Sequence, residues 1–460
     1  MAVTLSERTG LASFIYVKDR RMNIQSETVR KYVLNRLEDG SFTSGMRLPG
    51  SRKISEELNI SRPVVQSALD TLVNEGILKA AQRSGLYVEP EWRQRQIRSS
   101  LLVFKSEKPL PWLELFRSEL GGQLPELHIS TQFRRCPLEI ITTAGAQSRH
   151  DEFIDLMPIL RECYPDLTPF YAEQLHPFTW NGRLTALPFV FSPRLIAISR
   201  KMLREAGCAE PSSGWVIADL MNLLAGLRRK FAPERIFSSH TVRTFWLNFV
   251  LSCGGSLFDP ENCAAVQFDS EEALDGFRAA RALRGPGEVR EIPPQECAVM
   301  IVDRQTYRRI QDGMSDEWLF LPIPGNVPGR TGISMQATEL FAVRRGSMDQ
   351  SLVLPIIRFL WSEKFQDHLA ELRYGIPIRK SSAEKSFASG LGPDSLFKQY
   401  CHQIRNDYQL HDPDLTALIS NGIDQILAGA GDLEKEITDL AYVVRQYMKY
   451  RGIGYYDASA

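Results

Sequence analysis

The chain has 460 residues, balances 55 Lys and Arg against 55 Asp and Glu, and is 43% hydrophobic. That is the profile of an ordinary globular protein of two or three domains, with enough apolar sequence for large cores without disulfide staples. It has no apolar run of 18 residues and no apolar leader, so neither a membrane span nor export is expected.

The seven cysteines form no Cys-x-x-Cys pair, and the seven histidines show no metal-ligand spacing. The expectation is a cytoplasmic protein without metal, cofactor or membrane contact. Its charge is uneven, with 16 Lys and Arg against 11 Asp and Glu in residues 1–100 and 39 against 44 in the rest. A basic first segment suggests an anionic partner.

In chain order, residues 1–23 read as an N-terminal extension. From Glu27 to Asp39, Val29, Tyr32, Val33, Leu34 and Leu37 recur at helical spacing, and Gly40 ends the helix. A shorter pattern carries Ile54 and Leu58 and closes at Asn59. Ser61 suits an N-cap, and Pro63 in the first turn costs no intrahelical hydrogen bond. Val65, Leu69, Leu72 and Val73 then share the inner face of a third helix that stops at Gly76. Ile77–Ala80 and Leu86–Val88 read as a hairpin joined by residues 81–85. Three helices and a small hairpin make a winged helix-turn-helix over residues 24–90.

The run Gly45-Met46-Arg47-Leu48-Pro49-Gly50-Ser51-Arg52, continued through Ile54, Leu58 and Ile60 to Ser61-Arg62, resembles the DNA-binding domain of the GntR family. The resemblance implies a double-stranded DNA operator, contacted by Arg52, Ser61 and Arg62 and, from the wing, by Gln82, Arg83 and Gly85. Arginine suits the task, because its rigid fork of five donors fits phosphate or the guanine edge. Pro63 and Gln66 replace the threonine and arginine common in relatives. Gln66 can still read adenine, and Pro63 offers apolar contact. Arg47 is a further candidate, with an ion pair inside the domain as its alternative.

Residues 91–100 are polar and basic and read as a linker. Beyond them, strand-like Leu101–Phe104, a helix over Trp112–Leu120 and strand-like Glu126–Ser130 begin an alternation that continues to residue 380. Such alternation argues an α/β domain with parallel or mixed sheets over 101–460.

Later motifs are Trp180-Asn181-Gly182 to Pro188, Leu195–Ile198, Met202–Gly207, Cys253-Gly254-Gly255, Val266–Ala273, Cys297–Met300, Leu321–Gly325 and Tyr374–Arg379. In that order they resemble the type II periplasmic solute-binding fold, in the carbohydrate-binding family 1 branch that includes maltose-binding proteins. The resemblance implies two α/β lobes with a solute between them, and makes Leu321–Gly325 the strand that returns to the first lobe.

A sugar presents apolar C–H faces and a rim of hydroxyls, so its cleft needs aromatic platforms and polar partners. The candidates are Trp112, Thr143, Phe189, Phe191, Ser192, Trp246, Thr338, Glu339 and Tyr374. Packing is the alternative for the aromatics, and a pairing with Arg304 for Glu339.

The fold class expected is therefore multidomain, a small α+β winged helix-turn-helix followed by a two-lobed α/β domain. The function expected is a ligand-responsive regulator of transcription, such as a repressor, binding a palindromic operator as a homodimer and taking a carbohydrate effector. The alternative is a regulator whose large domain serves only dimerisation or protein contact. The length also suits fusion to an aminotransferase-like domain, but no lysine after residue 108 stands in a Ser-Lys context suited to pyridoxal phosphate. No nucleophile elbow, phosphate loop or HExxH helix occurs either, so no catalytic residues are expected.

Overall fold

The structure, a computed structural model, describes residues 25–90 and 101–452. Excepted are 27, 31, 38–39, 75, 82–83, 106–109, 122, 125, 131–135, 239–243, 260–264, 286–292, 294–295, 312–316, 347–351, 389–391 and 406–412. Wing positions Gln82 and Arg83 and the whole 91–100 linker therefore lie outside the described residues.

The first unit holds helix α1 (25–37), α2 (Ser51–Leu58), α3 (Arg62–Asn74) and strands β1 (Leu78–Ala81) and β2 (Gly85–Val88). Val29, Val33, Leu34 and Leu37 of α1 meet Ile54 of α2 and Val65, Ala68, Leu69 and Leu72 of α3 in one core. This is the inner face that helical spacing predicts. The strands pair antiparallel, Leu78 opposite Val88. A third piece of chain joins them: Leu48 N–H donates to Leu86 O at 2.9 Å and Val88 N–H to Met46 O at 2.8 Å. The hairpin is thus a three-stranded wing, which the sequence does not reveal because the added strand lies before α2.

The first lobe is built on a six-stranded sheet. Its strands in chain order are β3 (Leu101–Lys105), β4 (Glu126–Ser130), β5 (Leu138–Ile141), β6 (Leu187–Ser192), β12 (Ala337–Val343) and β13 (Ile376–Pro377). Their spatial order is β13–β6–β12–β5–β3–β4. The β3–β4 and β3–β5 pairs are parallel and the rest antiparallel, so the sheet is mixed.

The second lobe has a four-stranded sheet of β7 (Leu195–Ser199), β8 (Phe237–Ser238), β9 (Val299–Val302) and β10 (Trp318–Pro322), ordered β8–β9–β7–β10. Every residue of β6, β7 and β9 is buried, which explains why they read as continuous apolar runs rather than alternating strands. Helices cover the sheets. They include α4 (Leu113–Leu120) and α5 (Thr143–Ser148) on the first lobe, and α6 (Trp246–Ser252) and α7 (Glu271–Arg284) on the second. Helix α8 (Arg304–Ile310) follows β9, and α9 (Lys380–Phe387) and α10 (Asp394–Tyr400) return to the first lobe.

The chain passes between lobes at Ser192–Leu195, at β11 (Ser334–Met335) leading into β12, and at β14 (Ile404–Arg405), which pairs parallel with β11. The three passages are tied together: Arg194 N–H donates to Ser334 Oγ at 3.0 Å, and Ser334 N–H donates to Gln403 O at 3.0 Å. Leu321–Gly325 is not the returning strand. β10 pairs with β7 inside the second lobe, and the return runs through Ser334–Val343. Finally α11 (Pro413–Ala428) and α12 (Leu433–Arg451) pack Leu415, Ile419, Ile423, Ile437, Val444 and Met448 onto the second core.

Candidate DNA-binding surface and interlobe site

On α3, Val64, Val65, Ala68 and Leu69 point inward, while Arg62, Pro63 and Gln66 are exposed beside exposed Ser61. Arg62 Nε donates to Ser51 Oγ at 3.4 Å, so the N-termini of α2 and α3 lie side by side. Neither helix has an acidic residue in its first turn. Two positive dipole ends and their free N–H groups therefore face one patch, a ready seat for phosphate.

Arg52 stands on the same edge with its side chain 85% exposed, held among the described residues by Glu56 at 3.1 Å. An exposed i,i+4 pair is worth a few tenths of a kcal/mol, so Arg52 can turn to a stronger anion at little cost. Gln66 Nε2 likewise donates to Asp70 Oδ1 at 2.9 Å. Arg47 pairs through its backbone with Tyr87 and lies against the wing at Gly85, whose φ of +108° and closeness to that guanidinium (3.1 Å from a Cβ built there) favour glycine. Exposed arginines thus flank both the helix ends and the wing.

The nine effector candidates separate into two groups. Trp112 is fully buried between Phe189 and Phe365, with ring centroids at 5.7 and 5.5 Å. Phe191 is closed against Tyr171 at 5.2 Å. Trp246 packs on Phe277 at 5.7 Å and donates Nε1–H to Asp424 Oδ1 at 3.2 Å. These four aromatics have their rings taken up by lobe cores, the packing that stood as the alternative to a platform role.

The polar candidates gather at the hinge. Thr143, at the start of α5, meets Thr338 of β12 hydroxyl to hydroxyl at 2.6 Å. Ser192 Oγ accepts from Arg304 N–H at 3.0 Å. Glu339 does not pair with Arg304; it accepts from Tyr374 O–H at 2.5 Å, and burial together with the Glu339 carboxylate pushes the phenol's pKa up. Arg304 instead binds Asp394 with both groups almost wholly buried.

Two further residues join the polar layer. Gln336, between β11 and β12, donates Nε2–H to Gln174 Oε1 at 2.7 Å, and both are buried. Among the described residues, Gln336 Oε1 is buried without a hydrogen-bond partner. Gln174 escaped the sequence reading because it lies 162 residues from its partner in a stretch with no motif.

At its far end β12 runs into Arg344 and Arg345. Arg344 pairs with Glu139 at 2.6 Å and Glu152 at 2.7 Å. Arg345 donates to Phe153 O at 3.0 Å and to Asn35 Oδ1 of α1. One strand therefore carries Thr338 and Glu339 by the hinge and ends at the DNA-binding unit.

Residues 25–88 match the family described as bacterial regulatory proteins, gntR family. The chain carries a GntR-family DNA-binding domain. The GntR match is supported by an uncharacterized HTH-type transcriptional regulator, YisV, of Bacillus subtilis (strain 168). It is 24% identical over 90 residues, a span of 20% of this chain and 17% of that protein. The chain thus aligns with about a sixth of that relative's length.

The domain behind the GntR unit has the fold of ABC solute-binding proteins. An ABC transporter solute-binding protein of Thermotoga lettingae, solved with alpha-D-tagatose, superposes with TM-score 0.62 at 13% identity, covering 75% of this chain and 98% of its own. A Listeria monocytogenes substrate-binding protein in complex with cycloalternan gives 0.62 at 12%, covering 76% and 99%. UgpB of Mycobacterium tuberculosis, in complex with glycerophosphocholine, gives 0.62 at 13%, also covering 76% and 99%.

Among the described residues, no helix is long and apolar enough to cross a membrane, and no group of three or more His, Cys, Asp or Glu could hold a metal ion. Burial pushes the Cys253 thiol up to about 12 and those of Cys297 and Cys401 up to about 11, so these three are not thiolates at neutral pH.

Proposed function

We propose that this GntR-type protein is a ligand-responsive transcription regulator whose two-lobed domain binds a carbohydrate or a related hydroxylated solute. Residues 24–90 form the DNA-binding unit, 91–100 the linker and 101–460 the effector domain. Two chains bind the two half-sites of a palindromic operator, since a two-fold protein matches a two-fold site. Arg52 and Arg62 contact phosphate or base edges. Ser61, Pro63 and Gln66 read the major groove, and Arg47, Gln82, Arg83 and Gly85 serve the wing.

The observation that carries the DNA reading is the paired, acid-free N-termini of α2 and α3 flanked by exposed Arg52 and Arg62. The effector reading is supported by the polar layer of Thr143, Gln174, Gln336 and Thr338 at the hinge, with the unpartnered Gln336 carbonyl as an acceptor for a ligand hydroxyl. Effector binding shifts DNA affinity only through a difference in affinity between two arrangements of the lobes. The β12 strand, joined to α1 through Arg345 and Asn35, offers a route for that difference.

Selection of bound duplexes from a random library tests the DNA half. A single enriched palindrome, bound by the parent and weakly by Arg62→Ala, is expected. No enrichment, or equal binding by the variant, contradicts the assignment.

A further inference from the structure

Helix α8 starts directly after β9 of the second lobe, but its side chains are fastened to the first. All five donors of Arg304 go to first-lobe groups: Asp394 of α10, Ser386 of α9 and the Gly375 carbonyl. Arg308 Nε donates to Leu372 O at 2.6 Å, and Arg304 N–H to Ser192 Oγ at 3.0 Å. From the first lobe, Arg373 reaches Asp394 at 3.2 Å and Gln311 Oε1, just past α8, at 3.4 Å. Its guanidinium lies 5.9 Å from the centre of the Tyr307 ring.

The apolar layer continues across the same boundary. Side chains alternate along a strand, so each strand of the second sheet offers two faces. Ile196, Ile198, Val299 and Ile301 lie in the second core with α6 and α7. Their neighbours Leu195, Ala197, Met300 and Val302 belong instead to one core with Phe189, Phe341 and Ile376 of the first sheet. Tyr307 of α8 packs against that shared core and meets Phe320 of β10 at 5.4 Å.

From these contacts we infer that α8 is a clamp that shuts the two lobes on each other with the chain's own side chains. Closure driven by a solute needs the solute's polar groups to bridge the lobes. Here Arg304 and Asp394 bridge them, both almost wholly buried. The ion pair and the apolar layer contribute differently. A buried ion pair repays little more than its own desolvation, so it fixes register. The drive is burial of the apolar faces, which parting the lobes would expose to water.

An effector shifts the equilibrium only toward the arrangement it prefers, so from a shut resting state it acts by loosening α8. Gln305 marks where it would enter. That side chain is 6% exposed, and among the described residues its Oε1 is buried without a hydrogen-bond partner. A Cβ built at Gly375 would lie 3.0 Å from its Nε2. A ligand hydroxyl that reaches Gln305 makes a hydrogen bond that the clamp leaves unmade. The inference rests on the effector reading above and states how that site is regulated.

Hydrogen exchange of the full chain in sugar-free buffer, read by mass spectrometry, tests it. Segments 303–311 and 372–379 are expected to be protected in the parent. In Asp394→Asn and in Arg308→Ala they are expected to exchange about tenfold faster or more, while α7 keeps the parent's rate, which separates opening from unfolding. A parent that exchanges there as fast as an unstructured peptide overturns the clamp. Absence of a rise confined to these segments in both variants overturns it too. Maltose and alpha-D-tagatose are then added in turn, with operator affinity measured on the same samples. A sugar that shifts operator affinity is expected to speed exchange at 303–311, and one that shifts it while slowing that exchange overturns the loosening. Unchanged operator affinity with both sugars counts against the carbohydrate reading, and the clamp then stands or falls on the two variants.

Discussion

Asp394→Ala should be among the most destabilising single changes in the two-lobed domain. Arg304 is 1% exposed and Asp394 0%. All five guanidinium donors are engaged: with Asp394 at 3.1 and 3.2 Å, Gly375 O at 2.6 Å, Ser386 Oγ at 3.0 Å and Ser386 O at 2.8 Å. Asp394 also accepts from Arg373 Nε at 3.2 Å. Removing the carboxylate leaves a buried cation without its counter-charge, which costs about 3–5 kcal/mol. At roughly 2–4 °C per kcal/mol for domains of this order, the melting transition falls by something on the order of 10 °C. Replacing both partners, Arg304→Met with Asp394→Leu, removes both buried charges and should cost less than Asp394→Ala alone. Differential scanning calorimetry reads both variants. A melting temperature for Asp394→Ala within a degree or so of the parent refutes the claim that this pair pins α8 to α9 and α10.

Other outcomes follow from the same coordinates. Arg62→Ala should cost about 1–3 kcal/mol of operator affinity in an anisotropy titration, or lower the salt slope by about 1 if its contact is to phosphate. Trp246→Ala should destabilise the second lobe by about 3–5 kcal/mol in denaturant unfolding, as loss of a buried ring does; unchanged stability would return Trp246 to the list of platforms. Arg345→Ala should leave operator affinity intact while shrinking any sugar-induced change in it, read in the same titration. Burial and then the hydrogen bond to Glu57 raise the Tyr32 phenol from 10.0 to about 12. Its contribution to stability is present below pH 10 and is lost as pH rises towards 12, a dependence Tyr32→Phe should remove in alkaline unfolding curves.

The local features of this chain were readable from residue order. The inner faces of α1 and α3 follow 3.6-residue spacing, and Ser61, Pro63 and Gly76 punctuate α3 as their backbone chemistry requires. The strands at Leu101 and Leu195 announce themselves as apolar runs, and Glu126–Ser130 as Leu127 and Ile129 alternating with polar residues. Long-range pairings were not readable. Met46–Leu48 joins the wing through backbone hydrogen bonds that leave no side-chain signature. Arg304 finds Asp394 ninety residues away, and a carboxylate carries no mark of its partner. The aromatics mislead for a related reason: Trp112 and Trp246 satisfy the composition of a sugar site equally well as core residues, and only the rings around them decide. Glu339 had two plausible fates in sequence and took a third, a hydrogen bond from Tyr374 thirty-five residues away.

The most direct test of the account is the affinity of the full chain for its selected duplex with and without mono- and oligosaccharides at saturating concentration. The account predicts that at least one sugar shifts the dissociation constant by about 5–150-fold, the usual range of allosteric coupling. Superimposable isotherms across the panel, with specific DNA binding intact, would contradict carbohydrate sensing and leave the large domain as a dimerisation or protein-contact module.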